Sequence, residues 1–157
     1  MEEIEKIVRQ FRDAIDVAKD ADKFRGLYPF YKFPDDCCEH SCDLLGQYLL
    51  EHGIKTTQVN GAYKHNRARR HVWLITEDRI VIDITADQFI GELVSKDEVE
   101  AVHVGREGTI HKMFCCDRVF QNNTIFNDVD RYNGFGGCPD VRQKRLIDLY
   151  KIIYQEI

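Results

Sequence analysis

The sequence predicts an α+β fold in which helices pack on an antiparallel sheet. Three segments, one near each end of the chain and one in its first half, carry apolar residues at the spacing of an α-helix. The segments between them are short and rich in β-branched and aromatic residues, which is typical of strands. With 157 residues, of which 43% are apolar, the chain has the size of one domain, and we expect a single domain over residues 1–157.

Composition and charge restrict the class of function. The net charge of −5 gives no electrostatic support for binding nucleic acid or an anionic membrane, so neither is expected as a partner. No apolar run approaches the roughly 20 residues that span a bilayer, and the N-terminus lacks the pattern of a secretion signal. Six cysteines without an export signal indicate reduced thiols rather than a disulfide framework, and we therefore expect a cytoplasmic location.

The three helices are predicted from their apolar stripes. The first runs from Met1 to about Lys23, and its stripe consists of Ile4, Ile7, Val8, Phe11, Ile15 and Ala18. The second begins at Cys38, after Pro34 disfavours helix at Phe33, and Asp35 and Asp36 are expected to cap it. It ends at Gly53, a natural stop signal. The closing helix, Val141–Ile157, has its stripe at Leu146, Leu149, Tyr150, Ile153 and Ile157.

The strands and loops are predicted between these helices. We expect strands at Ile54–Tyr63, with Val59 and Ala62 in the core, and at His71–Ile75, Ile80–Ile84, Val99–Val104 and Thr109–Phe114. The segment from residue 86 to 100 is expected to be a loop or a short helix, and Asn122–Asp140, rich in Asn, Asp and Gly, a loop. The basic stretch Lys64–Arg70 has two interpretations, a solvated hairpin tip or a clamp for an acidic group of a substrate.

Cys38 is the candidate nucleophile. A thiol in the first turn of a helix lies in the positive field of unpaired N–H groups and aligned peptide dipoles. That field favours the thiolate, which is the reactive form. The alternative interpretation is that Cys38 is a small buried apolar residue with an inert thiol, which is common for a lone helical cysteine.

A thiol nucleophile needs a base and a group that orients the base, and His71 and Asp83 are the candidates. A hairpin loop of three residues, Thr76–Asp78, would set His71 opposite Asp83 on one face, together with Trp73 and Ile75. A two-residue loop, Glu77-Asp78, would instead place Val72 opposite Asp83, and His71 would then lie on the other face of the sheet. We therefore predict an odd loop, with its last residue, Asp78, in the left-handed conformation that commonly ends such loops and that Asp tolerates better than most residues. The alternatives are a hydrogen-bonded core histidine and a turn-capping aspartate.

These residues carry a resemblance to a known superfamily. The stretch His71-Val72-Trp73 resembles the HxW motif of transglutaminase-like enzymes of the papain-like fold, and Asp83-Ile84-Thr85 resembles their DxT motif. The helix-start cysteine is followed, at the spacing of that family's core motif, by Cys42, Gly53, Ile54, Val59 and Gly61. The likeness covers Phe33 to Phe89, about a third of the chain, and implies a papain-like/transglutaminase-like core.

The resemblance implies a Cys38-His71-Asp83 enzyme that forms a thioester from an amide or ester carbonyl and passes the acyl group to water or an amine. Water is the expected acceptor, because the chain is short, and the substrate is a peptide, a protein or a small amide. No cofactor and no metal are implied. Lys32 stands where papain-type enzymes have an oxyanion glutamine, which leaves Gln88 and Trp73 as candidates for a second oxyanion donor. Tyr31, in an aromatic connector before the helix, joins Trp73 and Gln88 as a candidate substrate contact.

Two other classes of function stay open. One is a protein-binding module that keeps the fold without the chemistry. The other is a structural zinc protein that uses Cys37, Cys38, His40 and Cys42 with Cys115, Cys116 and Cys138. The zinc interpretation is the weaker one, because neither cysteine group has the paired C-x-x-C spacing of such sites and a helix points neighbouring residues in different directions.

Overall fold

The computed structural model describes residues 1–121 and 141–157, and in this part of the chain it has four α-helices and a five-stranded antiparallel sheet. The helices are α1 Glu2–Asp20, α2 Cys38–Glu51, α3 Thr109–Met113 and α4 Val141–Tyr154. The strands are β1 Thr56–Tyr63, β2 Asn66–Thr76, β3 Val81–Asp83, β4 His103–Gly105 and β5 Phe114–Gln121, in the order β4-β3-β2-β1-β5. The predicted α+β class is confirmed, while the predicted loop Asn122–Asp140 lies outside the described residues.

Successive side chains of a strand point to opposite sides of the sheet. Both faces of the central strands are covered, so these strands contribute to two buried clusters. One face packs against the long helices and includes Val72, Leu74, Ile82, Ile84, Phe11, Leu44, Leu45, Leu49 and Tyr150. The other face is covered by the segments that connect β3, β4 and β5, and includes Val59, Trp73, Val81, Phe89, Ile110 and Phe114. Within the described residues no helix has both the length and the apolar character needed to cross a bilayer.

Helix α2 begins at Cys38 as predicted, but the predicted caps are wrong. The N-cap residue is Cys37, and no side chain hydrogen-bonds to the open end of the helix. The Asp36 carboxylate instead accepts a hydrogen bond from Lys32 Nζ at 2.5 Å. At the other end of the chain, α4 stops at Tyr154, so Ile157 lies beyond it, 40% exposed, and is not part of the buried stripe.

The predicted start of the second strand needs correction. The basic stretch Lys64–Arg70 is mostly strand, because β2 begins at Asn66 and only the turn at its start is a loop. Arg69 Nη2 donates to Glu92 at 2.8 Å, and Arg70 Nε donates to Asn60 at 2.7 Å. Acceptors distant in sequence therefore allow consecutive arginines to occupy an extended strand.

The third quarter of the chain departs further from expectation. Thr109–Met113 is a short helix, not part of a strand, and β5 begins where the predicted strand was to end, at Phe114. Strand β4 is confined to His103–Gly105 instead of starting at Val99. Between β3 and β4 the chain forms two 3₁₀ turns, Ala86–Phe89 and Lys96–Glu98, which agrees with the predicted loop or short helix.

The β2–β3 hairpin has an odd loop, as predicted, but the loop is displaced by one residue. Thr76 N donates to Ile80 O at 3.0 Å, Ile75 pairs with Val81, and the three loop residues are Glu77–Arg79. Arg79, not Asp78, takes the left-handed backbone conformation, with φ of 60°. His71 and Asp83 consequently share a face, as predicted. They are diagonal neighbours rather than directly opposite, a separation that long side chains can span.

Helix α1 is anchored to the segment after β3 by a buried guanidinium group. Arg12, only 6% exposed, donates from Nη1 to the backbone oxygens of Ile84, at 2.7 Å, and Ala101, at 3.0 Å. Its Nη2 donates to Asp87 Oδ2 at 2.9 Å. These bonds connect α1 to both ends of the segment that covers the second face of the sheet.

We expect Arg12→Ala to lower the free energy of unfolding by about 3 kcal/mol, because it removes one partner of a buried ion pair and leaves two carbonyl groups without a donor. Chemical denaturation followed by circular dichroism measures this change. The matched control is Arg9→Ala on the same helix, where the side chain is exposed and its ion pairs should contribute less than about 1 kcal/mol. Equal losses in the two variants would contradict the anchoring role.

Candidate active site

The imidazole of His71 and the carboxylate of Asp83 form a buried hydrogen-bonded pair. His71 Nε2 donates to Asp83 Oδ2 at 2.6 Å, and the two residues are 0% and 2% exposed. Aromatic rings surround the imidazole, with centroids at 4.8 Å for Phe89, 5.5 Å for Phe114 and 5.6 Å for Trp73. The pair therefore lies in an apolar environment, where an electrostatic interaction is stronger than in water.

The carboxylate of Asp83 is satisfied on both oxygens. Oδ1 accepts from the backbone N–H of Thr85 at 2.8 Å and from its hydroxyl at 3.2 Å, and Oδ2 accepts from His71 and from His111 Nε2 at 3.2 Å. Burial alone would raise the pKa of Asp83, but the charge of His71 and the hydrogen bonds from His111 and His71 hold it below its usual value. Asp83 is therefore an anion, and the DxT-like stretch closes a local turn that fixes its carboxylate.

Cys38 is a neighbour of His71. Burial lowers the pKa of His71, but the attraction of Asp83 and the neighbouring Cys38 sulfur outweigh it and raise the pKa to about 9. Because Nε2 is held by Asp83, the nitrogen left for the thiol is Nδ1, which is buried and has no hydrogen-bond partner within residues 1–121 and 141–157. The arrangement can hold an imidazolium beside a thiol at neutral pH.

The neighbouring cysteines differ from Cys38. Cys38 is half-buried, whereas Cys37 and Cys42 are buried, and desolvation raises the pKa of Cys37 to about 12 and that of Cys42 well above its ordinary value. The Cys37 thiol donates to Asp35 O at 3.2 Å. Cys115 and Cys116 are exposed on β5, the edge strand next to β1. Of these thiols, Cys38 is the one placed beside an imidazole.

The predicted substrate contacts lie in different environments. Trp73 is buried beside His71, with its ring also 5.3 Å from His111. Gln88 is buried and its amide donates to Thr85 O at 2.8 Å, so this group supports the turn after Asp83. Tyr31 is 55% exposed, and its ring lies 6.5 Å from Tyr28. Within the aromatic connector, Phe30 and Phe33 belong to the core.

His111 is the site residue that the sequence did not reveal. It belongs to α3, in a stretch predicted as a strand, and no spacing in the sequence connects it with Asp83. The contact depends on the fold, because α3 follows β4, the strand that pairs with β3. The local signal in the sequence is a histidine three residues after a glycine, which is common in loops and at helix starts.

His71, Asp83 and His111 are also the group that metal chemistry would use, since their ligand atoms all lie within 4.8 Å of one another. Two ligands bound to one zinc ion at about 2.1 Å in tetrahedral geometry are roughly 3.4 Å apart. The 2.6 Å between His71 and Asp83 is shorter and is a hydrogen-bond distance. Across the described residues, no metal-binding group includes the cysteines proposed for a zinc site, and Cys138 lies outside those residues.

The raised pKa of His71 predicts a pH dependence of stability. A group whose pKa is higher in the folded state stabilises the fold fully below its unfolded pKa, and this contribution is lost as pH rises through the folded pKa. The free energy of unfolding should therefore fall by up to about 3 kcal/mol between pH 6.5 and about 9 because of His71. Urea denaturation across this range measures it, and His71→Gln should flatten the decline. An equally steep decline in the variant would contradict the assignment.

No protein-family model, no curated protein and no solved structure matches the chain.

Proposed function

We propose that this protein is a thiol-dependent acyl-transfer enzyme with a papain-like/transglutaminase-like core, in which Cys38 is the nucleophile, His71 the base and acid, and Asp83 the orienting group. The expected reaction is hydrolysis of an amide or peptide bond. The observation that carries the proposal is the buried 2.6 Å hydrogen bond between His71 and Asp83, with the second nitrogen of the imidazole left for Cys38.

The proposed reaction begins with an ion pair between the Cys38 thiolate and the His71 imidazolium. The sulfur attacks the carbonyl carbon of the substrate, and the C–N bond breaks as the leaving amine takes the proton from His71 Nδ1. Water then attacks the carbonyl carbon of the thioester and gives one proton to Nδ1. The C–S bond breaks, which releases a carboxylic acid and regenerates the pair of Cys38 thiolate and His71 imidazolium. Asp83 holds Nε2–H throughout and stabilises the imidazolium without becoming protonated.

The start of α2 can contribute to stabilising the oxyanion. The first four N–H groups of an α-helix have no partner within the helix, and Cys38 is the first residue of α2. Its own N–H, together with the positive end of the helix dipole, supports negative charge on the carbonyl oxygen in the transition state. Of the two candidates for a second donor, Gln88 already uses one of its two amide N–H groups in the bond to Thr85 O, and Trp73 is buried beside His71.

We expect iodoacetamide to label Cys38 at least about tenfold faster than Cys115 or Cys116 at pH 6, where an exposed thiol is almost entirely protonated. Peptide mapping by mass spectrometry after timed quenching gives the individual rates. The two β5 cysteines are internal controls for ordinary exposed thiols. Asp83→Asn should reduce the Cys38 rate toward theirs, because the imidazole loses the charge that favours its protonated form. Uniform slow labelling would favour the binding module.

An activated ester such as p-nitrophenyl acetate tests the acyl-enzyme directly. We expect an early burst of p-nitrophenol and one acetyl group on the intact protein, located on Cys38 by peptide mapping. Cys38→Ala is the blank and His71→Gln the matched variant that keeps the thiol but lacks the base. The same acetylation in Cys38→Ala would contradict the assignment of the nucleophile.

A chelator separates the proposed enzyme from a metal protein. Since the His71–Asp83 distance is that of a hydrogen bond, dialysis against EDTA should leave the rate of Cys38 labelling unchanged within about twofold. Added Zn²⁺ removed by the same dialysis serves as the control for reversibility. A rate that changes strongly on chelation would instead assign a metal to the group formed by His71, Asp83 and His111.

A further inference from the structure

A second imidazole shares the orienting carboxylate. His111, 3% exposed, approaches Asp83 Oδ2 with its Nε2 at 3.2 Å, on the same oxygen that accepts from His71. The mechanism proposed above uses His71 and Asp83 and assigns no role to this residue. His111 is buried and contacts the carboxylate of Asp83, but it contacts neither the thiol nor the free nitrogen of His71. Its role therefore has to be explained separately.

The hydrogen bonds of His111 determine which of its nitrogens carries the proton. The backbone N–H of Gly108 points at His111 Nδ1, 3.1 Å away. A backbone N–H can only donate, so Nδ1 must be the acceptor and the proton of the neutral imidazole lies on Nε2. His111 thus donates Nε2–H to Asp83, in a tautomer selected by the main chain.

The ring of His111 is held in place on its other sides as well. Trp73 lies 5.3 Å away and the ring of His103 4.8 Å away, measured between centroids. The space beside Gly108 is filled, since a Cβ atom at that position would lie 3.0 Å from His103 Cε1 and 3.4 Å from His111 Nδ1. The donor to Asp83 is therefore rigid, because both the backbone and two rings define its position.

We propose that His111 is a positioning residue that fixes the carboxylate of Asp83 in the orientation that receives His71. The inference deepens the proposed function, but it depends only on the contacts of Asp83. With Thr85 holding Oδ1 and His111 holding Oδ2, rotation of the carboxylate would break hydrogen bonds at both oxygens. The hydrogen bond from His71 Nε2 is therefore made to an acceptor, Asp83 Oδ2, whose position is fixed.

Removing the donor has a definite physical consequence. Oδ2 of a buried carboxylate would keep a single partner, and an incompletely satisfied buried anion is costly. The carboxylate then gains by rotating or by admitting water, and either change weakens the bond to His71. The other titratable or charged groups around the carboxylate are Cys38, Cys42, Asp87 and His103. The residues that donate to Asp83 within the described part of the chain are Thr85, His71 and His111, and none of these four groups is among them.

The test is the exchange of the His71 Nε2 proton with water, observed by ¹⁵N-edited NMR of the imidazoles in the full chain. We expect His111→Phe to accelerate this exchange at least about tenfold. His111→Gln should restore slow exchange, because its amide nitrogen stands where Nε2 of the imidazole stood. His52→Phe is the matched control, since His52 follows α2, where its Nδ1 is bonded to Tyr48 O and not to Asp83, and the His71 proton of this variant should exchange as in the parent.

Two further measurements separate the possible outcomes. Thermal melts and amide spectra report whether His111→Phe is folded, and His111→Gln provides the informative comparison if it is not. Unchanged exchange in folded His111→Phe, or equally fast exchange in His111→Phe and His111→Gln, would overturn the positioning role. The rate of Cys38 alkylation tests the proposed enzyme separately, because slow labelling in the parent protein contradicts the nucleophile while leaving the exchange result intact.

Discussion

The buried carboxylate of Asp83 is the group on which the rest of the arrangement depends. An ionised carboxylate removed from water destabilises a protein by several kcal/mol unless donors replace the lost solvent. Here three donor residues do so, Thr85 from the following turn, His71 from β2 and His111 from α3. These donors come from separate parts of the chain, so the charge is stable only when the sheet and the segments covering its second face are assembled together.

Cys38, the proposed nucleophile, belongs to the helix that packs against the opposite face of the sheet. Helix α2 is held by its buried residues, among them Cys42, Leu45 and Leu49, in the cluster that includes Val72 and Leu74 of β2. Packing of the helix on this strand brings the first turn of α2, with Cys38, close to the imidazole on the same strand. The proposed site thus combines a rigid helix end with a strand whose side chains contribute to both cores, and Arg12 connects α1 to the turn that supports Asp83.

The features that could be predicted from the sequence are those that follow from the periodicity of a single element, such as the two-residue alternation of side chains along a strand. The alternation of a strand put His71 and Asp83 on one face as soon as the loop had an odd length, although the loop is Glu77–Arg79 and not Thr76–Asp78. Asp tolerates the left-handed conformation better than Arg, so local preference pointed to the wrong residue. The strand conformation of the β2 arginines and the contact between His111 and Asp83 could not be predicted from the sequence, for a different reason. Their partners, Glu92, Asp117 and Asp83, are distant in sequence and become neighbours only in the folded chain.

The unpaired nitrogen of His71 is the feature of the His71–Asp83 pair on which the proposed mechanism depends. A histidine that served only to neutralise a buried aspartate would be most stable with both nitrogens bonded, because an unsatisfied buried polar atom costs about 1–3 kcal/mol. In the described structure Nδ1 has no such partner, whereas both oxygens of Asp83 are satisfied. Within this pair the unbonded atom is Nδ1, the one that the proposed mechanism uses to exchange a proton with the thiol. Three other buried side-chain atoms of the described residues, His40 Nε2, Ser41 Oγ and Gln47 Oε1, also have no partner, so the unbonded Nδ1 supports the proposed role only together with the neighbouring Cys38.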